Sequence, residues 1–593
     1  MNANCYKTIF SERLGALIAV GEHASCAAKA ASGQAQLGRE AARTPALTMM
    51  EGFVGVLRLT FASVALTCIT LSATQAQSGS NLFSNLLPQG GSVNTGSVTI
   101  GTNGAQMTIN QTTDKASIDW QSFNIGSGAS VNITQPNTSS VLLNRVVGND
   151  PSQILGKLSA NGQVILINPN GIVFGKDGSI TASAFTASTF GLTDADFMDG
   201  LYKYKRNGST ASVFNQGSIQ TASGGFVALI GATVTNEGVI RSPQGDVMLV
   251  AAENVTLASP PPHTVSVRMS KRVRLELDPA AINTAVKNTE SGVIVTEGGQ
   301  VLLQAAALST AVASVTHSGH IDTSAPQAGA VTVLADGGAI KVNGSITANS
   351  SGQTDGKANR GGDIIIGRDE ASGALSKFTD VSAAKLESDK GFVETSGDVL
   401  STTGTRVKAS EWLLDPTNIT IAASGATGTP YASNYTGATD SIILASDISA
   451  NLTAGTSVTL ATGAGGTSLG NIAVNESISK TGGSDATLTL QAHGNITVAA
   501  SKTITSNTGK LNVVFNSDSD CANGGAIYLI TGAGISSNGG NIQLRRAMPS
   551  LSVAASTAGS AAARTTPSRP KPSRAAVRRV LSAESSPISA PHA

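Results

Sequence analysis

From Gln77 to about Leu544, apolar and polar positions alternate in short runs separated by Gly and Asn, the two-residue period of half-buried β-strands. A longer period lies over this alternation. A Gly-x-Ile unit recurs as Asn215-Gln216-Gly217-Ser218-Ile219, Asn236-Glu237-Gly238-Val239-Ile240, Ser291-Gly292-Val293-Ile294, Ser318-Gly319-His320-Ile321 and Asn343-Gly344-Ser345-Ile346. Between these units comes a Gly-Gly or Gly-Asp turn followed by an apolar strand, as in Gly224-Gly225-Phe226-Val227-Ala228-Leu229-Ile230, Gly245-Asp246-Val247-Met248-Leu249-Val250, Gly298-Gly299-Gln300-Val301-Leu302-Leu303 and Gly361-Gly362-Asp363-Ile364-Ile365-Ile366. Where uninterrupted, the period is about 21 to 27 residues, the span of one solenoid coil.

A repeat of that length cannot bury its own apolar side. Coils must stack at roughly 4.8 Å, each strand pairing with its equivalent one turn away, while inward Val, Ile, Leu and Ala merge into one core. The pattern predicts an all-β solenoid of on the order of 20 coils, a rod about 100 Å long. A sandwich of hairpins would not need the repeat. Both ends of such a stack expose strand edges, so the first and last segments should be atypical.

Within this series, Leu166-Ile167-Asn168-Pro169-Asn170-Gly171-Ile172-Val173-Phe174-Gly175 places a turn inside an apolar run. Pro169 presets φ for a tight turn, and Asn170 or Gly171 supplies the positive φ that follows, giving strand, corner, strand.

Composition agrees. The chain has 593 residues with 65 Gly, 13% charged and 4% aromatic residues, the balance of a β-repeat body rather than a compact enzyme. Net charge is +1, so no general attraction toward nucleic acid or anionic lipid exists, and no nucleic-acid partner is expected. Cys5, Cys26 and Cys68 lie in the first 70 residues and Cys521 stands alone after them, so removal of the front leaves no internal disulfide. The front has the marks of a leader. Arg39, Arg43 and Arg58 precede the apolar run Leu59 to Leu71, which is too short to span a membrane, and Thr74 and Ala76 set up cleavage between Ala76 and Gln77.

Several segments together resemble a known family. The start, Met1 to Phe10 with Gly15 to Glu22, is similar to the extended signal peptide region of very large Gram-negative exoproteins. Gln135-Pro136-Asn137, Leu143-Asn144-Arg145-Val146, Ile154-Leu155-Gly156, Ala160-Asn161-Gly162-Gln163-Val164 and Asn168-Pro169-Asn170-Gly171-Ile172 come in the order found in the secretion domain of filamentous-haemagglutinin-like two-partner-secretion exoproteins. Downstream, Leu275 to Asn283, Gly391 to Gly397 and Trp412-Leu413-Leu414-Asp415-Pro416 resemble that family's haem-acquisition and high-molecular-weight adhesin branch. The resemblance implies a right-handed parallel β-helix with an N-terminal β-helical secretion and capping domain. It also implies export through an outer-membrane transporter barrel, and a secretion motif at Asn168, Pro169, Asn170 and Gly171 with Asn144 and Arg145 in a neighbouring segment. Those residues act either by touching the transporter or by building the fold. The organisation expected is an extended signal peptide over 1–76, a secretion domain over 77–200, β-helix repeats over 201–410, further β-rich repeats over 411–544 and a basic tail over 545–593.

Candidate chemistry is sparse. Asp194, Asp196 and Asp199 read as a solvated loop; Gly361-Gly362-Asp363 and Asp336-Gly337-Gly338 lack the repeated spacing of calcium turns; His263, His317 and His320 read as exposed spacers. No catalytic set, cofactor or metal site is expected. Asn132-Ile133-Thr134, Asn434-Tyr435-Thr436 and Asn495-Ile496-Thr497 are sugar-acceptor triplets of the kind chance supplies in an Asn-rich chain. After Gly539-Gly540-Asn541-Ile542-Gln543-Leu544 the strand period stops, and an Arg-, Ala-, Ser- and Pro-rich tail begins. It reads as disordered, either a basic surface-binding tail or the product of a reading-frame shift, the abrupt change favouring the latter. The expected function is a secreted or surface-exposed adhesin-like exoprotein that meets a host-cell or surface receptor, glycans among the candidates. The alternatives are a β-helical carbohydrate-active enzyme, marked by acidic and basic groups on one face of neighbouring coils, and a scavenger of haem or a haem carrier.

Overall fold

The structure is a computed structural model describing residues 84–547, except 258–264, 267–285, 307–313, 355, 426–440, 464–468 and 523, and two short leader strands, Tyr6–Ser11 and Ala16–Gly21, paired antiparallel. The Ala76–Gln77 junction, His263, Asn434 and the tail from 548 onward lie outside the described residues.

The described residues between 84 and 547 form a parallel β-helix. One coil shows the plan: strand Lys157–Ala160 on a first face, strand Gln163–Ile167 on a second and strand Ile172–Phe174 on a third, after which Ser179–Ala182 opens the next coil on the first face. Each strand pairs in parallel with its equivalents above and below, Ile165 for instance lying between Leu143 and Thr186. On the second face the ladder climbs from Lys115–Trp120 to Ile542–Arg546 through fifteen levels. That is fewer than the roughly 20 coils expected, because long excursions between coils use up chain. At the strand spacing of parallel sheets this stack rises about 70 Å.

The Gly-x-Ile unit has a steric cause. Gly217, Gly238, Gly292, Gly319 and Gly344 occupy one corner between the third and first faces, and a Cβ on Gly238, Gly319 or Gly344 would run into the carbonyl oxygen of the glycine one coil below. The following Ile219, Ile240, Ile294, Ile321 and Ile346 are all buried in the central core. Gly225, Gly245, Gly299, Gly329 and Gly362 form a second such column at the next corner. A buried polar ladder runs beside the first column: the Asn215 amide donates to Asn236 Oδ1 at 2.7 Å and Asn236 to Asn288 Oδ1 at 2.7 Å. Asn288 then donates to His317 Nδ1 at 3.1 Å, and His317 Nε2 donates to the Ser345 carbonyl at 3.1 Å. His317 is therefore no exposed spacer. It is fully buried and takes the next rung of the Asn ladder, and burial lowers its pKa to about 4. His320 lies beside it, half-buried, with Nδ1 2.8 Å from Ser345 Oγ.

The two ends differ. At the N-terminal end the parallel ladder is closed by antiparallel strands, Val98–Asn103 against Gln106–Gln111 and Ser92–Thr95 against Lys115–Trp120. Trp120 packs edge-on against Phe123 beneath them, with ring centroids 5.5 Å apart. At the other end the last described coil is open. Leu529, Ile542 and Leu544, which pair with buried Val498, Val513 and Phe515, are 43%, 45% and 44% exposed.

Helices are few and local. Helix α1, Asp194–Met198, lies in an excursion from the corner between second and third faces. Helix α2, Ala445–Thr453, stands in for a first-face strand at one level. Its polar side chains replace ladder groups: Asn451 Oδ1 accepts from Val407 N at 2.8 Å, Asp447 Oδ2 from Gly404 N at 3.0 Å and, on the other side, Ser449 Oγ from Ser479 N at 3.0 Å. Neither helix carries an apolar period long enough to be seen in the sequence.

Candidate functional site

The stretch Asn168 to Gly171 is the corner between the second and third faces of an early coil. Asn168 is completely buried although polar, so every hydrogen-bonding atom needs a partner. Its Nδ2 donates to the Asp150 carbonyl and to Ser152 Oγ, each at 3.0 Å. Its Oδ1 accepts from Asn170 N at 2.9 Å, and the Gly171 N–H returns to the Asn168 carbonyl at 3.1 Å, closing the turn. Gly171 has φ of +118°, open to glycine and strained for other residues. Asn170 is exposed, yet its amide reaches the Gly148 carbonyl at 2.9 Å, and the Pro169 carbonyl accepts from Ser209 Oγ at 2.9 Å. The corner thus holds together its own coil, the coil before it and the excursion after it.

Asn144 and Arg145 are neighbours in sequence that point to opposite sides of one strand, Val141–Val146. Asn144 faces the core, where Oδ1 accepts from the Trp120 indole N–H at 3.1 Å and Nδ2 reaches the Ile165 carbonyl at 3.4 Å. Arg145 faces outward. Its guanidinium donates to Asp119 Oδ1 at 3.0 Å, Asp194 Oδ1 at 2.7 Å and the Leu192 carbonyl at 3.1 Å. Burial works against its charge, but Asp194 and Asp119 outweigh that effect and raise its pKa above the ordinary value. Asn144 and Arg145 stand in register with Leu166 and Ile167, one level away and immediately before Asn168, so the two segments lie at the same end of neighbouring strands, with Asn144 in the core and Arg145 on the outer side.

That excursion corrects the reading of Asp194, Asp196 and Asp199 as a solvated loop. Asp194 and Asp196 lie in the first turn of α1, whose N-cap Thr193 accepts from Asp196 N at 3.1 Å, and Asp194 is the partner of Arg145. The excursion carries Phe190, Leu192, Phe197 and Tyr204 onto the outer side of the second face, against Val141, Leu143, Ile165, Ile167, Ala228, Ile230 and Val250. The early second-face strands are therefore buried on both sides. This explains Val164-Ile165-Leu166-Ile167 and Val227-Ala228-Leu229-Ile230, apolar without alternation.

Elsewhere, Arg368 pairs with Glu394 and Asp415 on neighbouring levels, both carboxylates lying within a tenth of full burial. It is a charge-compensated tie between coils. Asp363 pairs with Arg360. Among the described residues no three His, Cys, Asp or Glu side chains are grouped to hold a metal ion.

A parallel β-helix with a closed N-terminal cap, built of stacked coils behind a leader, defines the class of an exported solenoid. Comparison with known proteins narrows this class. Residues 84–353 match the TPS secretion domain, and residues 1–50 match the Extended Signal Peptide of Type V secretion system. The chain thus carries a TPS secretion domain behind an extended signal peptide, which marks export through the periplasm to the outside or the surface of a Gram-negative bacterium. Its relatives include two heme/hemopexin-binding proteins of Haemophilus influenzae. The one from strain ATCC 51907 / DSM 11121 / KW20 / Rd is 34% identical over 226 residues, 37% of this chain and 24% of the relative. The other is 42% identical over 123 residues, 21% and 13%. The chain thus spans about a quarter of the first relative's length. Solved structures similar to it include the HMW1 secretion domain from Haemophilus influenzae, with TM-score 0.44, 22% identity and coverage of 77% of this chain and 99% of that one. The filamentous hemagglutinin secretion domain gives TM-score 0.30, 16% identity, and 56% and 96% coverage.

Proposed function

We propose that the chain is exported across the outer membrane by a partner transporter barrel that recognises its N-terminal coils, and that the β-helix then works outside the cell as an adhesin-like binding rod. The observation that supports this is the match of residues 84–353 to the TPS secretion domain, on a fold suited to threading. Cys521 is the one cysteine of the described residues and is free, so no disulfide there locks the chain, and each late coil folds onto its predecessor alone. Coil-by-coil burial of apolar surface outside would help prevent return.

In this reading Asn168, Pro169, Asn170 and Gly171 serve secretion by building the corner. Asn168 is buried with all its partners inside the domain, which supports a scaffold role, whereas exposed Asn170 remains free to meet the transporter with its outer face. Asn144 and Arg145 serve the same purpose through Trp120 and α1. The divisions at 76, 200, 410 and 544 belong to this proposal; the replacement of a first-face strand by α2 supports a change of organisation soon after 410.

A second reading is favoured by what the two Haemophilus influenzae relatives are named for: the rod outside binds haem or a haem-carrying protein rather than a cell-surface receptor or glycan. Expression with and without the partner barrel, followed by detection of the mature chain from Gln77 in the medium and on cells, tests export. Partner-dependent appearance outside is expected, and periplasmic retention beside a barrel proven on another substrate would overturn it. Haemin titration of the exported chain, followed by its absorbance, separates the two ligand readings.

A further inference from the structure

A plain solenoid holds contacts between adjacent coils only, so it opens and closes one coil at a time. The early coils of this chain break that rule. The excursion from Phe190 to Arg206 reaches back over the outer side of the second face and fastens to strands far earlier in the chain. At the N-terminal end of α1, Arg145 Nη2 meets Asp194 Oδ1 at 2.7 Å across 49 residues, while Arg145 Nη1 holds Asp119 of the level below. At its C-terminal end, the Lys115 ammonium donates to the Phe197 carbonyl at 3.1 Å and the Met198 carbonyl at 2.8 Å, 82 and 83 residues away. Lys115 also sits 5.8 Å from the centre of the Phe197 ring, itself fully buried. Strand Tyr202–Lys205 then pairs antiparallel with Asn254–Leu257, and Arg206 Nη1 meets Glu253 Oε1 at 2.7 Å. Ser209 closes on the Asn168 corner through the Pro169 carbonyl.

We infer that this excursion is a latch: the first coils, including the Asn144 and Asn168 segments, lock only when residues 190–257 have arrived, and then lock together with them. The physical reason is that the outer sides of Val141, Leu143, Ile165 and Ile167 are apolar and stay wet until Phe190, Leu192, Phe197 and Tyr204 cover them. The cations of Lys115 and Arg145 likewise find their helix partners only then. An N-terminal segment of about 100 residues is thereby kept unlocked while the chain is incomplete, although its central core could form from neighbours alone. The latch is a property of the fold and holds whichever transporter, if any, handles the chain.

The test is pulse-labelled hydrogen exchange during refolding of the mature full chain, read by mass spectrometry of peptides. Strands 115–120 and 141–146 are expected to become protected in the same phase as 254–257, while 486–491 and 511–517 gain protection on their own schedule. Protection of 115–120 in a phase well ahead of 254–257 would overturn the inference. At equilibrium, Arg145→Gln and Phe197→Ala should each speed exchange in 115–120 and 141–146 at least tenfold and leave 486–517 unchanged. Acceleration spread evenly along the chain would show a general loss of stability, and none at 115–120 a merely local contact; either result would overturn the inference. Asp194→Asn, which keeps the shape of α1, provides the same reading if Phe197→Ala does not fold.

Discussion

The early second-face strands and the late ones hold the same place in the coil but live in different surroundings. Gln163–Ile167 and Phe226–Ile230 are buried on both sides, between the central core and a second apolar layer supplied by the excursions. Ala486–Gln491 and Leu511–Ser517 alternate buried and half-buried residues, because their outer sides face water. The same ladder can thus be a two-sided sheet at one end and a one-sided sheet at the other. The difference teaches that cooperativity in this rod is added from outside. Early coils are bridged across several levels, late coils only to their neighbours, and the last described coil leaves Ile542 and Leu544 uncovered.

The sharpest way to break this comparison is a charge on the outer side of the second face. Ile167→Asp, at a position 1% exposed beneath the excursion, should cost about 4 kcal/mol and open amide exchange in 141–146. Thr489→Asp, at an outward, half-buried position of a late strand, should change stability by less than about 0.5 kcal/mol. Equal costs in urea unfolding would dissolve the distinction between the two regions.

Core truncation then compares a covered coil with the open one. Leu490→Ala, at a fully buried site, should cost about 3 kcal/mol, and Leu544→Ala, at 44% exposure, less than about 1 kcal/mol. Local hydrogen exchange of 486–517 reads both.

Acid should find the polar ladder. Folded His317 keeps its ring neutral down to about pH 4, chiefly through burial, while an unfolded ring titrates near 6.5. Between those values the unfolded chain binds the additional proton. Stability from this group is therefore complete above about pH 6.5 and declines as pH falls toward 4, by about 3 kcal/mol in all. His317→Asn continues the rungs of Asn215, Asn236 and Asn288 and should remove the acid-dependent loss, with melting at pH 7 and pH 4.5 as the check. An unchanged pH dependence in that variant would place the acid-sensitive group elsewhere.

The corner gives a smaller leading effect. Asn168→Ala orphans Ser152 Oγ and the Asp150 carbonyl and should cost about 2 kcal/mol, whereas exposed Asn170→Ala should cost about 1 kcal/mol or less. If Asn170→Ala abolished export while the domain kept its melting curve, the corner would be a contact for the transporter rather than a scaffold.

Much of this was legible beforehand. Gly238, Gly319 and Gly344 mark their corner because a side chain there meets the backbone one coil below, and that constraint is written into the central coils as Gly-x-Ile. The turn at Asn168 announced itself through Pro169 and Gly171. The role of Arg145 was not legible, since its partner Asp194 is 49 residues away and joins it through an excursion without a period. His317 was misread because a lone His beside Gly looks like a surface turn, and only the parallel register with Asn288 puts it on a buried rung.

By itself, then, the sequence determined the coil: its period, its corners, its inward apolar residues and the family to which its ordered motifs are similar. These are local or nearest-neighbour properties, repeated often enough to be read through noise. What covers the coils was decided only in three dimensions. Which strands are buried twice, where Asp194 goes and how the rod is closed at one end depend on contacts between residues distant in sequence, and no short-range pattern encodes those contacts.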